Sequence, residues 1–248
     1  MEKSKDKNLV IYKSSLSYFD NKTPLEGFIT YPENNKFKKP GILVIHEWTG
    51  IGTLVKTKAL KLAEMGYIAM CADIYGKDIR PKNPEEALKI STIYKNDRAL
   101  LRSRLILALN EFKKLKNVDC NKLAVIGFCF GGMAALELAR ANSEIRGAVS
   151  FHGSLNTPEE FKEKYVKPKI LVLHGAEDPL VPQNEVLDFI SEMKKSQADW
   201  QMHIYGGAYH SFMNPESGDN RHIGIAYNEK IAHRAWIQMQ LFFDEIFL

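Results

Sequence analysis

What most restricts this chain is an alternation. Short apolar runs that end near glycine, aspartate or histidine are separated by stretches with apolar residues three and four apart. The runs 41–45, 67–72, 123–126, 147–150 and 170–173 read as strands buried on both faces, as strands of a parallel sheet are. Between them, 54–65, 99–115, 133–140 and 185–194 carry helical periodicity. Strand and helix in alternation imply the α/β class, with a mostly parallel central sheet flanked by helices on both faces.

The flanking segments complete this frame. Residues 9–18 and 25–31 predict an amino-terminal hairpin or meander, and the alternating 200–205 predicts a further outer strand. The segment 229–247 puts Ile231, Ala235, Met239, Phe242 and Ile246 on one stripe, as a closing amphipathic helix. With no repeat, low-complexity stretch or linker, one domain spanning 1–248 is expected; about three quarters of the unfolded surface can be buried at that length.

Composition excludes several classes. Hydrophobic residues at 45% and charged residues at 26% speak against disorder. The net charge of +4 comes from scattered lysines, not from a basic stripe interleaved with aromatics, so no nucleic-acid partner is expected. The lysine-rich start is followed by Leu9-Val10-Ile11 and then polar residues, too short for a signal-peptide core, and no apolar run approaches a membrane span. A cytoplasmic location without membrane attachment is the expectation. The cysteines Cys71, Cys120 and Cys129 are odd in number and form no CxxC pair, so each is read singly rather than as part of a disulfide framework.

The most informative stretch is Val125-Ile126-Gly127-Phe128-Cys129-Phe130-Gly131-Gly132-Met133-Ala134, where a buried strand enters a helix through a glycine-flanked turn. The pattern is G-x-C-x-G-G. In the nucleophile elbow G-x-S-x-G, the glycines permit a strained backbone that lifts the nucleophile above the sheet at a helix N-terminus. Cysteine in the serine position is chemically sensible, because the helix dipole favours a thiolate and any negative charge that develops there. A dinucleotide fingerprint would need glycine at 129, and a phosphate loop would need Lys-Ser/Thr where Met133-Ala134 stand. Taken alone, Cys129 could equally be a buried cysteine in a tight turn.

Two later segments decide in favour of chemistry. His174-Gly175-Ala176-Glu177-Asp178-Pro179 puts an acid just past a strand, and Ala208-Tyr209-His210-Ser211-Phe212 puts a histidine in a loop past the next one. Separately, Asp178 could cap the helix beyond Pro182 and His210 could be an ordinary loop histidine. In the order nucleophile, acid, base, at successive strand ends, they match the α/β-hydrolase arrangement. Asp178 would then orient His210, His210 would accept and return a proton, and Cys129 would attack an acyl carbon. The oxyanion would be held by the N–H groups of Phe130 and, from the loop after the 41–45 strand, Trp48.

That loop reads His46-Glu47-Trp48-Thr49-Gly50. Beside a thiol, Glu47 could accept a proton or suppress the thiolate until substrate arrives; equally it could cap the next helix or pair with a lysine. His46 reads as structural. The other histidines, His152, His174, His203, His222 and His233, form no HxxxH, HExxH or Cys/His ligand spacing, so no metal is expected.

The motifs Val44-Ile45-His46-Glu47-Trp48, Cys71-Ala72-Asp73-Ile74-Tyr75-Gly76, the G-x-C-x-G-G turn, 175–178 and Ala208-Tyr209-His210-Ser211-Phe212 together resemble the dienelactone hydrolase family, from about Leu25 to the carboxyl terminus. The resemblance implies an α/β-hydrolase fold and a Cys129, His210, Asp178 triad, with no cofactor. It also implies that Glu47 is the glutamate that holds the resting thiol and takes its proton when substrate binds. The family grips a substrate carboxylate with two arginines, whose positions fall here on Lys77 and Asn214, with Arg80 close enough in sequence to substitute. Lysine offers a point charge and asparagine none, so weaker selection for a carboxylate is expected.

The expected partner is a small-molecule lactone or activated ester, with the protein a monomer or small homo-oligomer. A thioesterase or general carboxylesterase would use the same triad. A non-catalytic, thiol-sensing binding protein is the rival from another class; retention of the triad and both elbow glycines speaks against it.

Overall fold

The computed structural model describes residues 10–33 and 37–248. The reading of the amino terminus as lacking a signal core rested on residues 1–9, which lie outside the described residues, as does Lys36.

The chain begins with the expected hairpin, β1 (Ile11–Asp20) against β2 (Thr23–Pro32), turning through Asn21 at φ +53°. Asparagine is among the few side chains that tolerate this region. There follow β3 (Lys39–Ile45), β4 (Ile68–Ala72), β5 (Val118–Phe128), β6 (Gly147–Phe151), β7 (Lys169–Gly175) and β8 (Trp200–Tyr205). They join one eight-stranded sheet in the order β1-β2-β4-β3-β5-β6-β7-β8. The strands from β3 onward pair in parallel, and β1 and β2 supply the antiparallel edge.

Side chains alternate across this sheet, and so build two cores. Ile42 and Val44 of β3 pack with α1 (Thr53–Glu64) and α6 (Glu229–Ile246) on one face. Leu43 and Ile45 pack with α3 (Arg98–Lys113), α4 (Phe130–Arg140) and α5 (Gln183–Lys195) on the other. Each fully buried aliphatic side chain contributes about 1.5–3 kcal/mol, which is why the runs are apolar at every position.

The structure adds a helix that periodicity does not predict, α2 (Pro84–Asn96), just before α3. Its inward face carries only Ala87, Ile90 and Tyr94 as apolar residues while Leu88 and Ile93 face solvent, so the apolar stripe that marks it is weak. Its start is nonetheless encoded. The Asn83 side chain accepts the Glu86 N–H at 2.9 Å, and Pro84 needs no hydrogen-bond partner in the first turn.

Every residue of α4 is buried. At its end the fully buried Arg140 donates to both Glu192 carboxylate oxygens, at 2.7 and 2.9 Å, to Glu137 at 3.1 Å and to the Leu155 carbonyl at 2.6 Å. This cluster ties the helix behind Cys129 to α5. The carboxyl ends of β3, β5 and β7, and the loop after β8, face one crevice, where ligands bind in open parallel sheets. Among the described residues, no helix is long and apolar enough to cross a membrane.

Candidate active site

Cys129 sits between β5 and α4 with φ +54° and ψ −114°, a backbone conformation rare for a side-chain-bearing residue. Such strain costs on the order of 1–3 kcal/mol and needs neighbours that enforce it. Here the turn is too tight for anything but glycine on either side. A Cβ at Gly127 would stand 1.8 Å from the Gly131 carbonyl oxygen, and one at Gly131 would stand 2.3 Å from that of Ile45. The Cys129 N–H is held by the Phe151 carbonyl at 3.0 Å and by His152 Nδ1 at 3.2 Å.

The side chains read as a triad come together. His210 Nε2 lies 3.0 Å from Cys129 Sγ, and His210 Nδ1 lies 2.8 Å from Asp178 Oδ2. Asp178 does not cap α5; its other oxygen accepts the Leu180 N–H at 2.9 Å. Burial opposes a charged His210 ring, but the charge at Cys129 and the bonds to Asp178 and Cys129 outweigh it and raise its pKa to about 10.

His152, which the sequence reading passed over, lies edge-on to His210. It is buried, with φ +40°. Burial first, and the His210 charge second, hold its ring well below the usual histidine range. Because its Nδ1 accepts from Cys129, its proton is on Nε2, which has no partner among the described residues. A sequence signal existed: His152 immediately follows the central strand β6, at the sheet end where sites form.

The loop after β3 is fixed by aromatics. His46 donates from Nδ1 to the Glu47 carbonyl at 2.6 Å and accepts the Ile74 N–H on Nε2 at 3.4 Å. Its ring packs against those of Tyr75 and Phe130, and burial lowers its pKa to about 4, so it is a neutral structural residue. Tyr75 donates to the Trp48 carbonyl at 3.0 Å. The N–H groups of Trp48 and Phe130 find no backbone acceptor among the described residues.

Glu47 is buried at 8% exposure but does not hold the thiol. Its carboxylate accepts from Asn214 Nδ2 at 2.8 Å, while Cys129 Sγ is paired with His210. The contact seen is therefore between the thiol and the imidazole, not the thiol–glutamate pair that the resemblance implies. Burial raises the Glu47 pKa to about 7, against the opposing effects of His210 and Asn214 and with a further rise from Glu216.

The residues considered for a substrate carboxylate are engaged elsewhere. Lys77 pairs with Glu26 at 3.3 Å. Arg80 folds back onto the carbonyls of Gly76 and Ile79, at 2.7 and 2.8 Å, and lies 3.7 Å from Asp73. Asn214 lines a space of about 450 Å³ whose wall also includes Glu47, Trp48, Ser211, Glu216 and Ile223; Cys129, His210 and Asp178 are not part of that wall, which reaches the triad through Ser211, the chain neighbour of His210. Lys77 and Arg80 are not part of that wall. Among the described residues no group of three or more His, Cys, Asp or Glu side chains is placed to hold a metal ion.

Comparison with known proteins gives consistent findings. The sequence model of the dienelactone hydrolase family matches residues 25–247. A Bradyrhizobium protein described as a probable 2-oxo-3-(5-oxofuran-2-ylidene)propanoate lactonase is 29% identical over 207 residues, covering 79% of this chain and 80% of its own. A crystal structure of a dienelactone hydrolase-like promiscuous phosphotriesterase from metagenomic libraries superposes with a TM-score of 0.90 at 32% identity, covering 95% of this chain and 98% of that one. The dienelactone hydrolase of Anabaena variabilis shares the fold at a TM-score of 0.62 and 20% identity, over 81% of this chain and 88% of its own.

Proposed function

The chain belongs to the dienelactone hydrolase family, and from that premise we propose that it hydrolyses lactones or activated carboxylic esters through a thioester on Cys129. One observation carries this reading: Asp178, His210 and Cys129 form a continuous hydrogen-bonded chain, 2.8 and 3.0 Å in its two links, at the strained turn that presents the sulfur.

In the proposed reaction the thiolate adds to the carbonyl carbon, and the oxyanion is held by the N–H groups of Phe130 and Trp48. Collapse expels an enolate or alkoxide, which takes the proton from His210 Nε2. Water, deprotonated by the same nitrogen, then cleaves the thioester. Asp178 keeps the Nδ1 proton in place and stabilises the cation throughout. Because a thiolate leaves more readily than an amide nitrogen or a poor alkoxide, the tetrahedral adduct of a peptide returns to reactants. Activated leaving groups are the expected substrates, with no cofactor. Thioesters and small carboxylic esters fit the same chemistry.

The test is a panel of lactones, chromogenic acyl esters and thioesters, run with wild type and Cys129→Ala and followed by intact mass. Turnover with an acyl adduct confined to Cys129 is expected, and Cys129→Ala should lose at least about three orders of magnitude. Hydrolysis by Cys129→Ala within a few-fold of wild type would overturn the assignment. Turnover of thioesters alone would move the reading to a thioesterase.

A further inference from the structure

Among the described residues no strand pairs with the outer side of β8, which leaves that edge of the central sheet free. The Asp199 carbonyl accepts from the Ile170 N–H at 2.9 Å and the Tyr205 carbonyl from the Ala176 N–H at 3.0 Å, so the backbone groups of 199, 201, 203 and 205 face β7. In a parallel ladder the alternate residues point the other way. The N–H and C=O groups of Trp200, Met202 and Ile204 therefore lie along the free edge. Edges of this kind are usually guarded by lysine, proline or a bulge. At the opposite end of the sheet β1 carries Lys13 and Asp20, whereas Trp200-Gln201-Met202-His203-Ile204-Tyr205 has no Lys, Arg, Asp, Glu or Pro and pairs with β7 in unbroken register.

The elements beside this edge leave apolar side chains uncovered: Ile204, Leu187 of α5 and Leu241 of α6 are each more than half exposed. Trp200 packs edge-on against Phe189 of α5, which puts Trp200, Met202 and Ile204 on the α5 face of the sheet. Gln201 donates to Glu245 at 3.3 Å, which puts 201, 203 and 205 on the α6 face. Leu187 sits on the flank of α5 turned away from Asp188, Glu192 and Lys195, which line a separate cavity. Along α6, Glu245 is level with Gln201, and Arg234 is close enough to Tyr205 for its charge to oppose the effect of burial on the phenol; Leu241 lies on the same side between them.

We propose that β8 is the interface through which two copies of this chain pair, edge to edge and antiparallel, as a closed two-fold dimer with one continuous sheet. The direction of the free backbone groups sets the register. Met202 faces Met202 of the second copy across the axis and Trp200 faces its Ile204, so every one of these edge N–H and C=O groups finds a partner. The cross-strand pairs on the α5 face are then apolar throughout. On the other face the same rotation brings Arg234 of each copy to the end of α6 that carries Glu245 in the other, so opposite charges meet. Any added strand would satisfy the backbone; the apolar pairs and the exchange of Arg234 for Glu245 under the two-fold select a second copy of this chain.

The test is sedimentation equilibrium across protein concentration, with amide hydrogen exchange read residue by residue. A monomer–dimer equilibrium is expected, with the amides of Trp200, Met202 and Ile204 protected in the dimer and exchanging freely on dilution. Ile204→Lys changes an exposed side chain and should abolish the dimer while keeping the melting temperature of dilute wild type. Arg234→Glu and Glu245→Arg should each raise the dimer dissociation constant about tenfold, and the double variant should recover most of that loss, which general damage could not do. A wild type that is monomeric at every concentration, or one that assembles beyond the dimer, overturns the proposal. So does a dimer that survives Ile204→Lys with those amides unprotected, or a double variant no tighter than the single ones.

Discussion

His152 stands edge-on to His210, with ring centroids 5.3 Å apart and planes inclined by 67°. The same ring takes the Cys129 N–H on Nδ1, so one neutral side chain braces both the Cys129 backbone and the His210 ring. Its φ of +40° shows that the fold accepts strain to put it there. His152→Asn keeps a residue type that tolerates positive φ but removes the ring. We expect kcat to fall about tenfold with KM changed less than about threefold, as for loss of orientation rather than of binding. Normal kcat with a lowered Tm would assign His152 to packing alone.

Glu47 should exact a stability cost that depends on pH. Its carboxyl is raised from 4.5 to about 7 by burial, so the folded state binds this proton more tightly than the unfolded chain. Stability is then undiminished below about pH 4.5, falls as the pH rises towards 7, and levels off above it. The difference amounts to about 3 kcal/mol at pH 8. Glu47→Gln retains an acceptor for Asn214 and removes the charge. It should therefore exceed wild type in urea stability by about that amount at pH 8 and by little at pH 4.5. A gain independent of pH would show that the charge is not its source.

How much of this was legible in the sequence depends on the range of the interaction. The parallel strands were read because burial on both faces makes them uniformly apolar, and Cys129, Asp178 and His210 were read because each lies just past a strand end. The helix α2 escaped because its apolar stripe is weak, although Asn83-Pro84 and Glu86 spelled out its start. The bond between Glu47 and Asn214 joins residues 167 positions apart, and no local pattern records it. The thiol–glutamate pair came from the family resemblance, and the structure instead shows the Glu47 carboxylate on the Asn214 amide and Cys129 Sγ on His210.

The buried cluster behind the nucleophile helix invites a second stability test. Arg140 is fully buried, and its partners Glu137 and Glu192 are nearly so. Removing Arg140 strands the Glu192 carboxylate, while Glu137 keeps Arg102 at 2.9 Å; leaving a buried charge unpaired costs about 3–5 kcal/mol. Arg140→Met should lose roughly that much in a urea titration. Arg140→Met/Glu192→Leu should recover part of it, because the stranded carboxylate goes with the arginine. A loss under about 1 kcal/mol for the single variant would mean that water reaches the cluster.

Substrate charge gives the last prediction. A carboxylate grip needs a free planar cation or paired donors facing the cavity. Lys77 is turned onto Glu26, Arg80 onto Asp73 and its own turn, and Asn214 spends its amide on Glu47. The cavity wall itself carries Glu47 and Glu216. An anionic substrate that enters by this cavity, which adjoins the triad through Ser211, would meet two acidic residues and no available cation from this set, and like charges about 4 Å apart near a protein surface repel by up to ~4 kcal/mol before screening. We therefore expect kcat/KM for the methyl ester of a carboxylate-bearing lactone to exceed that for the free acid by about tenfold, with Lys77→Ala and Arg80→Ala leaving the ratio unchanged. The comparison should be repeated at raised ionic strength, where the gap between the two substrates should narrow if charge sets it. A strong preference for the free acid that either alanine variant abolishes would mean that one of these cations swings into the cavity when substrate binds.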